Sequence, residues 1–282
     1  MRYVTFSHDG SSRLGIVDGE TVRPLPAQAG TLLEAIAAPG TLRAWEPGAP
    51  LPLAAVQLLA PLVPRKNVFC VGRNYLGHAE EVARKTGTEL KLPAVPTFFT
   101  KAPTSIAAPG ATLHLSGSVS QQYDWEAELA VVIGARCRDV TEADALGVVF
   151  GYTCLNDVTA RDLQSAHLQW FKGKSLDDAC PLGPWIVSAD EIPDPQRLRV
   201  QLRLNGEIKQ DGNTSSMIFP VAKIIASLSR GMTLEPGDII ATGTPDGVGF
   251  ARTPPEFLKD GDRVEVEIER IGALGNTISI GA

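Results

Sequence analysis

Glu126 and Glu128 stand two residues apart in an apolar, β-branched run, Trp125-Glu126-Ala127-Glu128-Leu129-Ala130-Val131-Val132-Ile133. The run reads as a buried strand. Side chains alternate along a strand, so both carboxylates share one face, roughly 7 Å apart at the backbone. Like charges on a half-buried face repel, and each resists desolvation. A divalent cation is the simplest compensation; an exposed strand face, or pairing with nearby Arg or Lys, is the alternative. Asp157, in Asn156-Asp157-Val158-Thr159, closes a second apolar segment and completes an all-oxygen trio. An acid there also suits the cap of a following helix. Hard carboxylate ligands without His or Cys select Mg²⁺, Mn²⁺ or Ca²⁺ over Zn²⁺.

His78 and Glu81 lie three apart on a helix predicted over residues 76–85, so they share a face. A carboxylate beside an imidazole holds its tautomer and raises its basicity, which suits a general base. The same stretch, GHAEEVARK, equally fits a solvated, charged helix face. His8, His114 and His167 lack such a context and read as structural. Lys174, in Phe171-Lys172-Gly173-Lys174-Ser175, fits a buried cation facing developing negative charge, or an exposed loop lysine. Arg161 and Gln164 follow Asp157 at helical spacing, placed to reach a substrate carboxylate or to solvate their helix. Gly243-Thr244-Pro245-Asp246-Gly247-Val248-Gly249 lacks the ending of a phosphate-binding loop and a following helix. It reads as a tight turn whose backbone approaches a small ligand.

The elements that must position these residues are mostly strands. Strand patterns cover residues 68–71, 97–100, 147–155, 200–204, 238–241 and 264–268, and Asn205-Gly206 is a strong hairpin signal. Residues 221–229 carry apolar positions at i, i+3, i+4 and i+7 with Gly231 as a stop, an amphipathic helix. Thr31 and Glu34 form a capping-box pattern opening a short helix. Without regular strand–helix alternation, the fold class is a β-rich α+β protein. Residues 1–62 form a small N-terminal domain, ending in a proline-rich connector, and residues 63–282 the larger, catalytic one.

Apolar residues make up 44% of the chain and charged residues 21%, which is ordinary for a globular protein. A net charge of -6 without any Lys/Arg block argues against nucleic acid or an anionic membrane as partner. No apolar leader or membrane-length run is present, which points to the cytoplasm. Cys70, Cys137, Cys154 and Cys180 show no C-x-x-C spacing and read as reduced, mostly buried thiols.

Taken in order, several segments resemble the fumarylacetoacetate hydrolase family from about Asn67 to the C-terminus. They are Val71-Gly72-Arg73-Asn74-Tyr75 with His78 and Glu81, Phe98-Phe99-Thr100-Lys101, residues 125–133, Asn156-Asp157 with Arg161, Gly173-Lys174-Ser175, Cys180-Pro181-Leu182-Gly183-Pro184, Asn205-Gly206 and Thr242-Gly243-Thr244-Pro245. The resemblance implies a mixed β-sandwich roll with a small N-terminal domain, assembled as a homodimer. It implies that Glu126, Glu128 and Asp157 hold Mg²⁺ or Mn²⁺. It casts His78 and Glu81 as a water-activating dyad on a segment that orders with substrate, and Lys174 as the lysine beside the substrate's oxygens. Arg73, Tyr75, Lys101, Arg161, Gln164 and Thr244 match substrate-facing positions.

Residues 71–77 contain no acid, so the further aspartate ligand of fumarylacetoacetate hydrolase itself is absent. That points to the three-carboxylate branch of acylpyruvases and 2-hydroxyhepta-2,4-diene-1,7-dioate isomerases. Asp178 stands where relatives often carry Thr, which alters the polar contacts expected near Lys174. The expected function is a hydrolase cleaving a C–C bond of an acylpyruvate-type 2,4-dioxo acid through an enolate stabilised by the cation. The His78–Glu81 dyad favours hydrolysis. A decarboxylase of oxaloacetate or a 2-oxo dicarboxylate and a diene-dioate isomerase share the same enolate. A non-catalytic carboxylate-binding domain with a structural cation is the remaining alternative.

Overall fold

The computed structural model describes residues 1–38 and 40–281. Two large sheets carry the architecture. The larger runs in the order Leu51–Pro52, Thr21–Pro24, Ser11–Asp18, Arg2–His8, Cys180–Ser188, Val149–Asn156, Ala127–Ile133, Ile239–Ala241, Val68–Gly72 and Thr97–Lys101. The smaller runs Glu207–Asn213, Arg199–Leu204, Arg263–Ile268, Gly272–Gly281 and Thr112–Ser116. The two pack together where Ala127–Ile133 and Val149–Asn156 meet Arg199–Leu204 and Arg263–Ile268. The β-rich α+β sandwich expected from the sequence is therefore the fold.

Ala127–Ile133 is buried along its whole length. Leu129, Val131 and Ile133 enter the core between the sheets, while Ala130 and Val132 enter a second core on the opposite face. A strand covered on both sides needs an unbroken apolar run, which explains the β-branched sequence. Glu126 and Glu128 have the parity of Ala130 and Val132 and stand at the strand's open end.

The hairpin signal is realised: Leu204 pairs with Glu207, with Asn205 (φ 53) and Gly206 (φ 84) left-handed between them. The helices Leu76–Thr86 and Val221–Ser229 form as expected, and Gly87 (φ 65) ends the first in the left-handed region. Thr31 caps Leu32–Ala37 through the reciprocal Glu34 contact. The N-terminal strands continue the large sheet, because Arg2 and Tyr3 pair with Val187 and Ile186. No described helix is long and apolar enough to cross a membrane.

Candidate active site

Strand register brings the three acids together. Ala127 pairs with Asn156 and Glu128 with Leu155, so Asp157 emerges beside Glu126. Asp157 N–H donates to the Glu126 carbonyl at 2.8 Å, and Glu126 N–H donates to Asn156 Oδ1 at 3.0 Å. One carboxylate oxygen from each of Glu126, Glu128 and Asp157 lies within 4.8 Å of the other two. Asp157 does not cap the next helix, Arg161–Ala166, whose cap position is Ala160.

Cations surround the trio. Lys174 Nζ lies 2.7 Å from Glu126 Oε2 and 2.7 Å from Asp157 Oδ2. Arg161 Nη2 donates to Glu126 Oε1 at 2.7 Å, and Lys101 Nζ to Asp157 Oδ1 at 2.7 Å. Gly243 N–H donates to Glu128 Oε2 at 2.7 Å. Among the described residues Glu128 forms no ion pair. Counting Asp124, which pairs with Arg161, four carboxylates face the three cations Lys101, Arg161 and Lys174. The cluster is thus one positive charge short.

The electrostatics locate the deficit. Burial opposes the charged form of Glu126, but the Lys174 and Arg161 charges outweigh it and hold its carboxyl well below the usual range. Burial, reinforced by the Asp157 and Glu126 charges, pushes Glu128 well above it. Burial works against the Lys174 ammonium, yet Asp157 and Glu126 raise its affinity for a proton. Each engaged carboxylate oxygen keeps a second lone pair, so the trio can serve a hard divalent cation while retaining these contacts. The residues therefore fit a hard divalent cation: three converging oxygens, one of them on a buried carboxylate with no ion pair among the described residues.

Glu126 and Glu128 line a cavity of about 470 Å³ together with Lys174, His78, Arg73 and Thr244, and with Arg161, Gln164, Phe99, Trp170 and Phe250. His78 is buried, and its Nδ1 lies 2.7 Å from Glu81 Oε1. Gly247 N–H donates to the other oxygen, Glu81 Oε2, at 2.9 Å. The helix Leu76–Thr86 thus turns this pair inward, away from solvent. Gly77 permits the approach, since a Cβ there would sit 2.5 Å from Asp246 Oδ1.

Several substrate-facing expectations change. Lys101 is fully buried behind Asp157 and bonded to it and to the Val158 carbonyl, so it holds a carboxylate and does not line the cavity. Tyr75 also lies off the cavity, buried, and its hydroxyl has no hydrogen-bond partner among the described residues. Arg161 reaches the wall, but its guanidinium is committed to Asp124, Glu126 and Gln164. Thr244 Oγ1 accepts from Gln210 Nε2 at 2.8 Å. Asp178 turns away from Lys174, its carboxylate accepting from His114 N–H at 3.0 Å. His167, read as structural, lines the cavity. Sequence reasoning also missed Asp124, Gln210, Trp170 and Phe250. Asp124 alone had a visible signal, as a third acid two residues before Glu126.

A family model described as fumarylacetoacetate (FAA) hydrolase C-terminal matches residues 67–279. The chain belongs to the fumarylacetoacetate hydrolase family. A second model, Rv2993c-like N-terminal, matches residues 1–61. Oxaloacetate tautomerase YisK of Bacillus subtilis is 49% identical over 80% of this chain and 74% of its own. The solved fumarylacetoacetate hydrolase of Exiguobacterium antarcticum superposes with TM-score 0.85 at 42% identity, covering 100% of both chains. Maleylpyruvate hydrolase of Sphingobium, solved with manganese(II) and pyruvate, superposes with TM-score 0.82 at 31% identity, again over 100% of both chains. Family membership carries the divalent-metal expectation, and the buried trio is a group of acids in this chain that could hold such an ion.

Proposed function

We propose that the protein interconverts the keto and enol forms of a short 2-oxo dicarboxylate, oxaloacetate being the first to test. One observation carries the reading: His78, held by Glu81, faces the same cavity as Glu126, Glu128 and Lys174. The 49% identical relative named as an oxaloacetate tautomerase supports it. This puts isomerisation ahead of the C–C hydrolysis expected from the sequence. Enolisation needs a proton carrier and a stabilised oxygen, and both are on the cavity wall.

Glu81 accepts from His78 Nδ1–H, which leaves Nε2 as the ring nitrogen able to take a proton. His78 removes a proton from the carbon beside the keto group. The C–H electron pair becomes the new C–C π bond, and the keto oxygen gains the charge. Lys174 faces that oxygen as a buried cation, and Glu81 steadies the imidazolium. Returning a proton to the oxygen gives the enol. When bound by Glu126, Glu128 and Asp157, Mg²⁺ or Mn²⁺ supplies Lewis-acid stabilisation of the ionised 2-oxo acid. Arg73 is exposed, stacks over Trp170 at 5.7 Å and has no ion pair among the described residues. It is the cation free to take the substrate's second carboxylate.

The test follows the ultraviolet absorbance of enol-oxaloacetate with Mg²⁺ or Mn²⁺ present. The wild type should clear it faster than the same buffer, and His78→Ala should lower kcat by about 10²–10⁴-fold. No acceleration by the wild type overturns the reading. Acylpyruvate hydrolysis is the second reading, favoured by a cavity of about 470 Å³, roomier than a four-carbon acid requires. Pyruvate plus acetate from acetylpyruvate would establish it, and CO₂ from oxaloacetate would establish decarboxylation instead. We infer a homodimer as the assembly, because Leu168 at the cavity is fully exposed and Phe171, three residues further along the chain, is also exposed. Sedimentation at about twice the chain mass is the expected result. The four free cysteines fit a reducing compartment such as the cytoplasm.

A further inference from the structure

Asp124 is fully buried, yet it belongs to none of the groups that would touch metal or substrate. Its carboxylate accepts four N–H hydrogen bonds and one further ion-pair contact. Oδ1 takes Trp125 N–H at 2.8 Å and Gly249 N–H at 2.7 Å. Oδ2 takes Phe250 N–H at 3.1 Å and Arg161 Nε–H at 2.8 Å, and Arg161 Nη2 stands 2.8 Å from it as an ion pair. These donors come from two sides of the cavity. Arg161 continues to Glu126 at 2.7 Å. Gly249 and Phe250 close the glycine-rich loop, whose Gly247 N–H continues to Glu81 and so to His78. The Phe250 ring lies against the Arg161 guanidinium at 4.4 Å, which ties the two branches again.

We infer that Asp124 is a positioning residue that locks the loop of residues 244–250, and through it the His78–Glu81 pair, to the carboxylate centre. The loop geometry is built for this contact: a Cβ on Gly249 would sit 2.6 Å from Asp124 Oδ1, so only glycine lets the backbone close on the acid. Every partner is a donor, so an amide cannot replace the carboxylate. In either orientation an asparagine sets its NH₂ against backbone N–H groups or against Arg161. A displacement of the loop moves Gly247 from Glu81 and lets the imidazole drift from the reacting carbon.

The kinetic arm rests on the tautomerase reading; the exchange arm does not. Asp124→Asn should lower kcat for oxaloacetate by about 10–100-fold, as expected for a misplaced catalytic group, with KM changed by less than about 3-fold. If Asp124 acts through Gly247 and Glu81, Asp124→Asn and Glu81→Gln in one chain should lose little beyond the worse single variant. Losses that multiply overturn the inference. Should Asp124→Asn not fold, Glu81→Gln carries the test by amide hydrogen exchange. Gly249 and Phe250 should then lose protection together with the helix Leu76–Thr86. Unchanged protection at Gly249 and Phe250, with a loosened helix, overturns the coupling whatever the substrate proves to be.

Discussion

Glu128 is buried beside two other acids and is offered a single backbone N–H. Burial and its neighbours' charges make it bind a proton more tightly in the folded chain than in the unfolded one. For a raised carboxyl the linkage has one sign. Its stabilising contribution is complete below the ordinary glutamate range and is lost as pH climbs through the raised folded value. Chelator-treated protein should therefore weaken in urea titrations as pH rises from the ordinary glutamate range through the raised value of Glu128, and Glu128→Gln should flatten that dependence. The same variant should cost at least about tenfold in Mn²⁺ affinity by calorimetry, since a charged ligand has gone. Lys101 gives a second test at this scale. Lys101→Met leaves Asp157 short of a partner inside the protein and should cost about 3–5 kcal/mol in stability. KM for the folded fraction should stay near the wild-type value, because Lys101 does not line the cavity. The acids were legible in the sequence because charge in an apolar run demands compensation. The role of Lys101 was not, because one lysine at the end of a strand looks the same whether it faces a ligand or a carboxylate.

At the scale of elements, register does the assembling. Asp157 meets Glu126 because Ala127 pairs with Asn156, so a one-residue slip would send the acids to opposite faces. The long strands and both amphipathic helices were readable, since each carries several periods of its pattern. The two-residue ribbon of Tyr123–Asp124 with Thr159–Ala160 was not, being too short to hold one. Yet that ribbon places Asp124, and with it the loop of residues 244–250. Gly249→Ala would set a Cβ 2.0 Å from the Glu256 carbonyl and must push backbone aside. A loss of about 1–3 kcal/mol, the usual cost of overpacking, is expected in urea unfolding.

For the whole molecule, composition and strand density were enough to give a β-rich α+β class. The order of strands across the sheet was not readable, because pairing between segments more than a hundred residues apart leaves no local trace. Ile239–Ala241 lies between Ala127–Ile133 and Val68–Gly72, antiparallel to the first and parallel to the second. That placement has a consequence for biosynthesis. This interior strand of the large sheet leaves the ribosome after both of its neighbours, and until it arrives they show each other bare edges. A chain ending before Asp238 should therefore be insoluble on expression. Nascent chains must keep that gap open, so the exposure to aggregation lasts through the synthesis of the more than one hundred residues between Ile133 and Ile239.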